Sequence, residues 1–327
     1  MFDQLFENFA KQHVLIIGDV MIDSYLWGKV DRISPEAPVP VLNLQKREQR
    51  LGGAANVALN VQALGATPVL CAVIGKDAEG DQLLKLLEQN NLSTAGIIQS
   101  EHRVTTIKHR IIAASQHVLR VDAEIDTEIS TEERNLLLAK IKTLLKDTNV
   151  VIFEDYDKGV IGETLIAETV KLTKALGIPT VVDPKKRNFM HYHGVSLFKP
   201  NLKELKEGLK ADFKGILLED VSNAVAELKT KLRLEGALIT LSEHGVYIDA
   251  NNEQVQIPAH KREIADVSGA GDTVVSVAAL CVALNLKPAM TAALSNLAGG
   301  IVCEHVGVVP IDKEVLKSEA IRLLSKV

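Results

Sequence analysis

The stretch ADVSGAGDTV, residues 265–274, joins a short polar segment to a long predicted helix of small residues. Two glycines flank Ala270, so backbone N–H groups can remain uncovered where the helix begins. The first four N–H groups of a helix lack intrahelical partners and lie at the positive end of the macrodipole, so such a turn can bind an anion. Asp272 follows directly. It is either an ordinary acidic residue of a first helical turn or a base held beside a developing phosphate charge.

Composition narrows the class of protein. The 327 residues allow one large domain or two small ones, and 46% of them are hydrophobic, enough for a substantial core. The net charge of −5 gives no reason to expect a nucleic acid or an acidic membrane as partner. The N-terminus differs from a signal peptide, and no apolar run reaches the roughly 18 residues that span a bilayer, so we expect a soluble, cytoplasmic protein. Three widely spaced cysteines predict buried thiols rather than disulfides or a zinc site: Cys71, Cys281 and Cys303.

The order of apolar segments predicts the architecture. From about residue 131 onward, short apolar runs alternate with helical patterns, which is typical of a parallel sheet covered by helices on both faces. Ligands of such sheets bind at the carboxyl ends of the strands. Acidic residues collect at those predicted ends: Asp19, Asp155, Asp157, Asp183 and Glu204. Together with the glycine-flanked turn, they predict a site for a polyanion and a metal ion.

Two segments differ from this pattern. In residues 24–48, Pro35, Pro38 and Pro40 exclude a helix, and residues 39–44 alternate in the manner of a strand. Residues 103–122 are also rich in β-forming residues. We expect the two segments to form a small sheet outside the main body, although their charged residues are equally consistent with a solvated face.

Several common site motifs are absent. The sequence contains no G-x-x-x-x-G-K-[ST], no G-x-G-x-x-G after the first strand, and no G-x-S-x-G. Its histidines lack the spacing of a metal motif. Phosphoryl transfer remains, and it requires a cradle for phosphates, Mg²⁺ held by acids and a base for the attacking hydroxyl.

The motifs that are present resemble one family. Gly269-Ala270-Gly271-Asp272, preceded by Asp266-Val267-Ser268, resembles the signature of the ribokinase (PfkB carbohydrate kinase) family. Residues 52–58, GGAANVA, resemble its N-terminal glycine motif, and Asn201-Leu202-Lys203-Glu204 is similar to its N-x-x-E magnesium motif. The resemblance covers almost the whole chain. It implies a ribokinase-like α/β fold, with a central, mostly parallel sheet flanked by helices, in a single kinase domain over residues 1–327. Residues 24–48 and 103–122 would be its β lid.

The resemblance also implies roles for individual residues. Asp272 would be the catalytic base, and the N–H groups of Gly269, Ala270 and Gly271 would form the anion hole for the transferred phosphoryl group. ATP would contact Asn201, Ser242, Gly245 and Asn296. The sugar hydroxyls would contact Asp19, Gly52, Gly53 and Asn56. Glu204 would hold Mg²⁺ through water, and Asp266 and Ser268 would help to hold a monovalent cation such as K⁺.

A longer run resembles one branch of the family. Residues 32–41, RISPEAPVPV, resemble the members that phosphorylate a heptose 7-phosphate, as do residues 18–23 and 155–159. This implies ATP-dependent phosphorylation of D-glycero-D-manno-heptose 7-phosphate at the anomeric O1. The product would be the 1,7-bisphosphate, used in nucleotide-activated heptose synthesis for the lipopolysaccharide core. Candidates for the sugar's own phosphate, each of which has a structural ion pair or a solvated side chain as the alternative, are Lys108, Arg120, Lys158 and Lys185.

Three further expectations accompany this resemblance. The chain has no H-x-G-H motif, so we expect no C-terminal nucleotidyltransferase domain. The exposed edges of the lid predict a homodimer formed through it. The alternatives to a heptose 7-phosphate kinase are another PfkB sugar or sugar phosphate kinase and, with less support, a non-catalytic sugar-binding protein on the same fold.

Overall fold

Short apolar runs become strands in the computed structural model, which describes residues 2–114, 116–211 and 218–324. Residues 1, 115, 212–217 and 325–327 of the predicted domain lie outside this description. In chain order the strands are β1 (His13–Gly18), β2 (Val20–Ile33), β3 (Pro40–Gly53), β4 (Thr67–Gly75), β5 (Ser93–Ser100), β6 (Ile107–Ala113), β7 (Gln116–Ala123), β8 (Val150–Glu154), β9 (Thr180–Asp183), β10 (Leu197–Phe198), β11 (Gly236–Thr240), β12 (Val246–Ala250) and β13 (Glu253–Ile257). The helices are α1 (Phe2–Phe9), α2 (Ala54–Ala63), α3 (Ala78–Gln89), α4 (Thr131–Leu144), α5 (Glu163–Leu176), α6 (Leu202–Leu209), α7 (Leu218–Leu232), α8 (Ala270–Ala283), α9 (Pro288–Val302) and α10 (Lys313–Leu324).

Nine of the described strands form one sheet, in the order β13-β12-β11-β10-β9-β8-β1-β4-β5. The pairings from β5 across to β11 are parallel, and those of β11 with β12 and β12 with β13 are antiparallel. The predicted central, mostly parallel sheet is therefore confirmed. Because the strands from β5 across to β11 run the same way, the segments that follow β1, β8, β9, β10 and β11 meet at one edge.

The sheet separates two hydrophobic cores. Successive residues of a strand point to opposite faces, and β1 shows this directly. Val14 and Ile16 pack into one core with α1, α2, α8, α9 and α10, whereas Leu15 and Ile17 pack into the other with α4, α5, α6 and α7. A strand covered on both faces needs an unbroken apolar run, which is why β1 and β8 could be predicted from the sequence.

A second, four-stranded sheet has the order β3-β2-β6-β7 and is called the small sheet here. Its strands come from both predicted lid segments, 24–48 and 103–122. β2 continues from β1 after a single residue, Asp19, and β3 leads directly into α2. Both attachments lie at the edge where the parallel strands end, so the small sheet is placed beside that edge. Its long strands, β2 and β3, each have 14 residues and extend beyond the predicted bounds.

Two expectations from composition can be compared with the structure. The three cysteines are buried and free, as predicted. Across the described residues, no helix combines the length and the apolar character needed to cross a bilayer. The N-terminal segment, which was not assigned a fold, forms α1 and buries Phe2, Phe6 and Phe9.

Candidate active site

The glycine-flanked turn precedes α8 as predicted. Gly269 is the N-cap and has a φ of 81°, a left-handed conformation that favours glycine. A Cβ at Gly269 would lie 3.2 Å from Asn56 Nδ2, and one at Gly271 would lie 3.5 Å from Asp183 Oδ2. The N–H of Ala270 donates to the Val267 carbonyl oxygen at 3.3 Å, so this predicted anion-hole donor already has an internal partner. The space beside the backbone of this turn therefore exists because Gly269 and Gly271 have no side chain.

Asp272 lies in the first turn of α8 and is 5% exposed. Asn56 Nδ2 donates to its Oδ2 at 2.6 Å, and the Tyr156 hydroxyl donates to its Oδ1 at 2.8 Å. Both donors stabilise the carboxylate and fix its orientation, as a general base requires. Asn56 was predicted to contact the sugar, and the structure places it against Asp272. Tyr156 was not predicted, although it lies within the run at 155–159 that carried the family resemblance.

Burial raises the pKa of Asp272 to about 6. The hydrogen bonds from Asn56 and Tyr156 work in the opposite direction, Asp183 raises the pKa further, and Lys185 lowers it. A carboxylate with this pKa is ionised at neutral pH and is still basic enough to accept a proton from a hydroxyl under attack. The buried position of Asp272 therefore favours the base interpretation over that of an ordinary first-turn acid.

Two other carboxylates lie beside this base. One oxygen each of Glu154, Asp183 and Asp272 lie within 4.8 Å of one another, and all three residues are buried. Lys199 Nζ lies 2.9 Å from Asp183 Oδ2, and Lys185 Nζ lies 3.8 Å from Asp183 Oδ1. Neither Glu154 nor Lys199 was a predicted site residue. The cluster is suited to phosphates and a cation, because it combines oxygen ligands with fixed positive charge.

The N-x-x-E motif begins α6. The Asn201 side chain accepts from the Glu204 N–H, and Glu204 Oε2 accepts from the Asn201 N–H, both at 2.8 Å. This capping box satisfies two N–H groups at the helix start. Glu204 Oε1 also accepts from Lys185 Nζ at 3.0 Å. Burial works against the charge of Lys185, but Asp183 and Glu204 raise its pKa, so it remains protonated.

The predicted nucleotide residues meet at the end of β11. Asn201 pairs with Thr240 in an isolated bridge, and Ser242 begins the turn that follows. A Cβ at Gly245, whose φ is 86°, would lie 2.0 Å from the Ile257 carbonyl oxygen. Asn296 Nδ2 donates to the Pro258 carbonyl oxygen at 2.9 Å. These contacts bring four residues from distant parts of the chain together, and the four form one wall of the site at the edge where the parallel strands end.

Asp19 was predicted to contact sugar hydroxyls, and that contact stays a prediction. Its carboxylate accepts three backbone N–H groups, from Tyr156 at 3.0 Å and from Lys158 and Val160 at 3.1 Å each. Burial raises the pKa of Asp19, and these three hydrogen bonds oppose that effect. The carboxylate therefore holds the loop that carries Tyr156. Gly53, at the start of α2, packs against the Asp19 carbonyl, where a Cβ would lie 2.4 Å away.

The four predicted phosphate ligands do not form one group. Lys108 pairs with Asp122 and Glu124, Lys158 pairs with Glu124, and Arg120 pairs with Asp122 and is 60% exposed along its side chain. Lys185 lies instead among Asp183, Glu204 and the Tyr156 ring. Lys185 therefore belongs to the base end of the site, and which of the four candidates contacts the sugar's phosphate stays a prediction.

Two arginines of the small sheet, Arg50 and Arg110, are called the arginine pair here. Their guanidinium carbons lie over the ring of Tyr25, at 5.0 and 5.4 Å from its centre. Arg110 pairs with Asp23, which packs against Gly52. Arg50 donates to the Val308 carbonyl oxygen at 3.0 Å, and Val308 lies 3.3 Å from where a Cβ of Gly269 would be. Arg50 thus lies near the glycine turn through Val308, and Arg110 shares the Tyr25 ring with it. No motif in the sequence had indicated this pair.

Asp266 and Ser268 lie next to this turn. Asp266 Oδ1 accepts from the Ser268 N–H at 3.0 Å and from its hydroxyl at 2.9 Å, and Oδ2 accepts from the Gly307 N–H at 2.9 Å. Partial burial opposes these hydrogen bonds, but the pKa of Asp266 is lowered, so it stays ionised. The structure brings the two predicted cation ligands together, and the cation itself stays a prediction.

Comparison with known proteins identifies the relatives of this chain. The family model described as pfkB family carbohydrate kinase matches residues 11–314. Among curated proteins, the chain is 37% identical over 295 residues to the bifunctional protein HldE of Campylobacter fetus subsp. fetus, covering 90% of this chain and 63% of that protein. It is 41% identical over 301 residues to the bifunctional protein HldE of Caulobacter vibrioides, covering 91% and 61%. The chain spans about three fifths of the length of these relatives.

Solved structures show the same fold. The potassium complex of phosphofructokinase-2 from Escherichia coli superposes with a TM-score of 0.79 at 17% identity, covering 96% of this chain and 99% of that one. Ribokinase from Arabidopsis thaliana, complexed with ribose and ATP, gives a TM-score of 0.70 at 16% identity, covering 94% and 98%. The ribokinase-like α/β fold is confirmed.

Proposed function

Because this chain belongs to the pfkB family of carbohydrate kinases, we propose that it transfers the γ-phosphoryl group of ATP to the anomeric O1 of D-glycero-D-manno-heptose 7-phosphate. The product is the 1,7-bisphosphate, an intermediate for nucleotide-activated heptose of the lipopolysaccharide core. The similarity to proteins named HldE adds to the resemblance of residues 32–41 to heptose 7-phosphate kinases. We propose that the chain acts as one domain and catalyses this kinase step.

One observation carries the catalytic part of the proposal. Asp272 is buried at the start of α8, and Asn56 and Tyr156 hold its carboxylate toward the glycine turn. Asp272 takes the proton of the O1 hydroxyl while O1 forms its bond to the γ-phosphorus. The bond from that phosphorus to the bridging oxygen of ADP breaks at the same time, and the electron pair leaves with ADP. The positive end of α8 and the ammonium groups of Lys185 and Lys199 stabilise the charge that develops.

ATP and a divalent metal ion are the expected cofactors of such a kinase. Mg²⁺, when bound, neutralises phosphate charge, and the family resemblance assigns its water-mediated contacts to Asn201 and Glu204. The wall around Ser242, Gly245 and Asn296 is the proposed nucleotide site. Asp266 and Ser268 are the proposed K⁺ ligands, because their oxygens adjoin the turn that receives the phosphoryl group.

The distal phosphate of the sugar is proposed to bind the arginine pair. Arg50 and Arg110 both lie over the Tyr25 ring, and Arg50 contacts Val308 beside the glycine turn. Guanidinium groups recognise phosphate through paired N–H donors. Replacing Arg110 with glutamine should raise KM for heptose 7-phosphate about ten- to a hundredfold, since a hydrogen bond to a charged group is worth about 1.5–3 kcal/mol. KM for ATP should change little. Arg120→Gln is the matched control, and an equal rise in both variants would contradict the assignment.

The small sheet is proposed to act as a lid and as the dimer interface. Its edge strand β7 exposes Leu119 (55%) and Val121 (46%), and these alternate with the charged residues Arg120 and Asp122. Such an apolar edge can pair with a second copy, and a closed lid excludes water that would compete with the sugar. We expect a dimer by light scattering at micromolar concentration and a monomer for the double variant Leu119→Lys, Val121→Lys. A monomeric wild type would contradict the dimer.

Sugar specificity is tested by ADP release from Mg·ATP with a panel of acceptors. The panel contains D-glycero-D-manno-heptose 7-phosphate, sedoheptulose 7-phosphate, fructose 6-phosphate, ribose and adenosine. Turnover only with the heptose phosphate supports the proposal, and turnover only with another sugar supports a different pfkB kinase. Asp272→Asn should bind sugar and ATP but lose turnover. A wild type that binds sugar without turnover would favour the non-catalytic alternative.

A further inference from the structure

Residues 155–160, which follow β8 and include Tyr156, are called the tyrosine loop here. They contain no helix or strand, so side chains from other segments have to satisfy their backbone groups. Asp19 does this for donors, since its carboxylate accepts three N–H groups of the loop. Arg103 does it for an acceptor, because its Nη2 donates to the Lys158 carbonyl oxygen. Asp19 and Arg103 therefore hold the same loop through opposite kinds of backbone group.

The other end of the Arg103 guanidinium reaches a second segment. Its Nη1 donates to the Thr127 carbonyl oxygen at 2.8 Å. The tyrosine loop packs against this same carbonyl, because a Cβ at Gly159, whose φ is 84°, would lie 1.9 Å from it. The Gly159 carbonyl oxygen in turn accepts from the Ile129 N–H at 2.9 Å. The planar fork of Arg103 thus bridges the tyrosine loop and residues 127–129.

The backbone around Arg103 has its own attachment to the main body. Arg103 lies four residues before β6, at the base of the small sheet. Between them, the N–H and the hydroxyl of Thr105 donate to the carboxylate of Asp77 at 2.8 and 2.7 Å. Asp77 is the N-cap of α3. The bridge to the tyrosine loop is therefore a separate interaction, which a substitution of the Arg103 side chain removes on its own.

The space beside Arg103 is too small for a substrate. The cavity lined by Arg103, Asp19 and Lys158 has a volume of about 10 Å³, and roughly this volume holds a single water molecule. Burial lowers the pKa of Arg103, while Asp19 and Glu133 raise it, and a guanidinium stays protonated in proteins. Arg103 is thus a charged group that spends its donors on backbone carbonyls, so its effect on the reaction has to pass through the tyrosine loop.

We propose that Arg103 is a positioning residue that holds the hydroxyl of Tyr156 toward Asp272, a role that rests on the proposed function in which Asp272 is the base. The bonded carbonyl, that of Lys158, lies two residues from Tyr156, whose hydroxyl donates to Asp272 Oδ1 at 2.8 Å. Without the bridge the loop shifts and this donor is displaced. The ionised carboxylate of Asp272 then loses part of its stabilisation, so its pKa rises.

The first test is the pH profile of kcat/KM for Arg103→Gln, whose acid limb reports the ionisation of Asp272 in the free enzyme. The limb should move to higher pH by about 0.5–1 unit, a part of the ~1–2 units that correspond to a whole hydrogen bond to a charged group. The charged groups beside Asp272 are unchanged in this variant, namely Glu154, Asp183 and Lys185. An unmoved acid limb would overturn the proposal.

A double-mutant cycle separates positioning from a general loss of stability. In Tyr156→Phe the hydroxyl is already absent, so adding Arg103→Gln should move the acid limb no further. The matched control is Arg187→Gln. Arg187 also pairs with the tyrosine loop, but through the partly exposed side chain of Asp157 at 3.4 Å, so its acid limb should stay in place. Additive shifts in the double variant, or an equal shift in Arg187→Gln, would contradict positioning through Tyr156.

Hydrogen exchange followed by mass spectrometry gives a second measurement, which needs no turnover. Peptides of the tyrosine loop should exchange faster in Arg103→Gln than in wild type, whereas the turn at 242–245 should exchange at the same rate in both. Unchanged exchange in the tyrosine loop would overturn the proposal.

Should Arg103→Gln fail to fold, Arg103→Lys takes its place. Lysine keeps the charge but lacks the planar fork that bridges two carbonyls, so the upward shift of the acid limb and the faster exchange are still expected. An unmoved limb with unchanged exchange in this variant would overturn the proposal. The kinetic test uses whichever acceptor the protein phosphorylates, so failure of the heptose assignment leaves this inference testable, and failure of this inference leaves the heptose assignment intact.

Discussion

The hydroxyl of Tyr156 is expected to set the pH at which the base works. It donates to Asp272 Oδ1 at 2.8 Å and so stabilises the ionised carboxylate. Tyr156→Phe removes this donor and keeps the ring. A hydrogen bond to a charged group is worth about 1.5–3 kcal/mol, and one pKa unit corresponds to about 1.4 kcal/mol, so the pKa of Asp272 should rise by about 1–2 units. From about 6 in the native protein, it would reach about 7–8.

The sign of the effect follows from the state that reacts. Asp272 accepts a proton only when it is ionised, so kcat/KM falls as the pH drops below its pKa. Near pH 6, kcat/KM of Tyr156→Phe should be lower than that of the wild type by about the ratio of the two acid dissociation constants of Asp272. Above about pH 9 the two proteins should have the same kcat/KM. The assay is the pH profile of kcat/KM from ADP release, which reports the free enzyme.

The control for this profile is Tyr192→Phe. Tyr192 is a buried tyrosine that also donates to a carboxylate, but its partner is Asp155, on the other face of the sheet. The acid limb of the Tyr192→Phe profile should stay at the wild-type position. Because the substrate is the same for both variants, this comparison also accounts for any titration of the substrate. A Tyr156→Phe profile that is lowered equally at every pH, with an unmoved acid limb, would refute the role of Tyr156 in tuning the base.

The remaining predictions concern the turn and the support of the site. Gly269→Ala should lower the free energy of unfolding by about 1–2 kcal/mol in urea, because its φ of 81° is unfavourable for residues with a Cβ; unchanged stability would contradict this strain. Gly271→Ala should fold normally, since its Cβ would lie 3.5 Å from Asp183 Oδ2, but kcat should fall about a hundredfold because the methyl group enters the space of the phosphoryl group; wild-type kcat would exclude that position. Arg262 is buried and paired with Glu304 and Glu319, so Arg262→Met should cost about 3–5 kcal/mol, and an unmoved urea midpoint would contradict it.

Much of the main sheet could be predicted because its signals are local. β1 and β8 are short apolar runs covered on both faces, and polar residues follow each of them directly. The turn at 269–271 was also visible, since left-handed backbone and close approach require glycine. These features depend on neighbours in the sequence, so the pattern and the structure agree there.

The contacts of the base could not be predicted in the same way. Asn56 and Tyr156 lie 216 and 116 residues from Asp272 in the chain, and no local pattern records which distant side chains a fold brings together. Glu154 was overlooked for a related reason. It appears in the sequence as one of several acids after strands, and only the structure distinguishes it by its lack of a hydrogen-bond partner.

The small sheet was predicted only in outline. Charged residues occupy consecutive positions of β3, such as Lys46, Arg47 and Glu48, and so point to both faces. Hydrophobic alternation is therefore weak, and the 14-residue lengths of β2 and β3 were not apparent. A sequence alone also does not distinguish basic residues that bind a ligand from those that form internal ion pairs. Lys185 was grouped with Lys108, although it pairs with Asp183 and Glu204 at the other end of the site.

Phosphorus NMR of the reaction with D-glycero-D-manno-heptose 7-phosphate and Mg·ATP tests the central claim most directly. The account predicts a new phosphate resonance coupled to the anomeric proton, an unchanged 7-phosphate and one ADP for each sugar converted. Loss of the new phosphate resonance in Asp272→Asn would assign the chemistry to the Asp272 carboxylate. A new phosphate at another position of the sugar, or no reaction with this sugar while another acceptor is phosphorylated, would contradict the account.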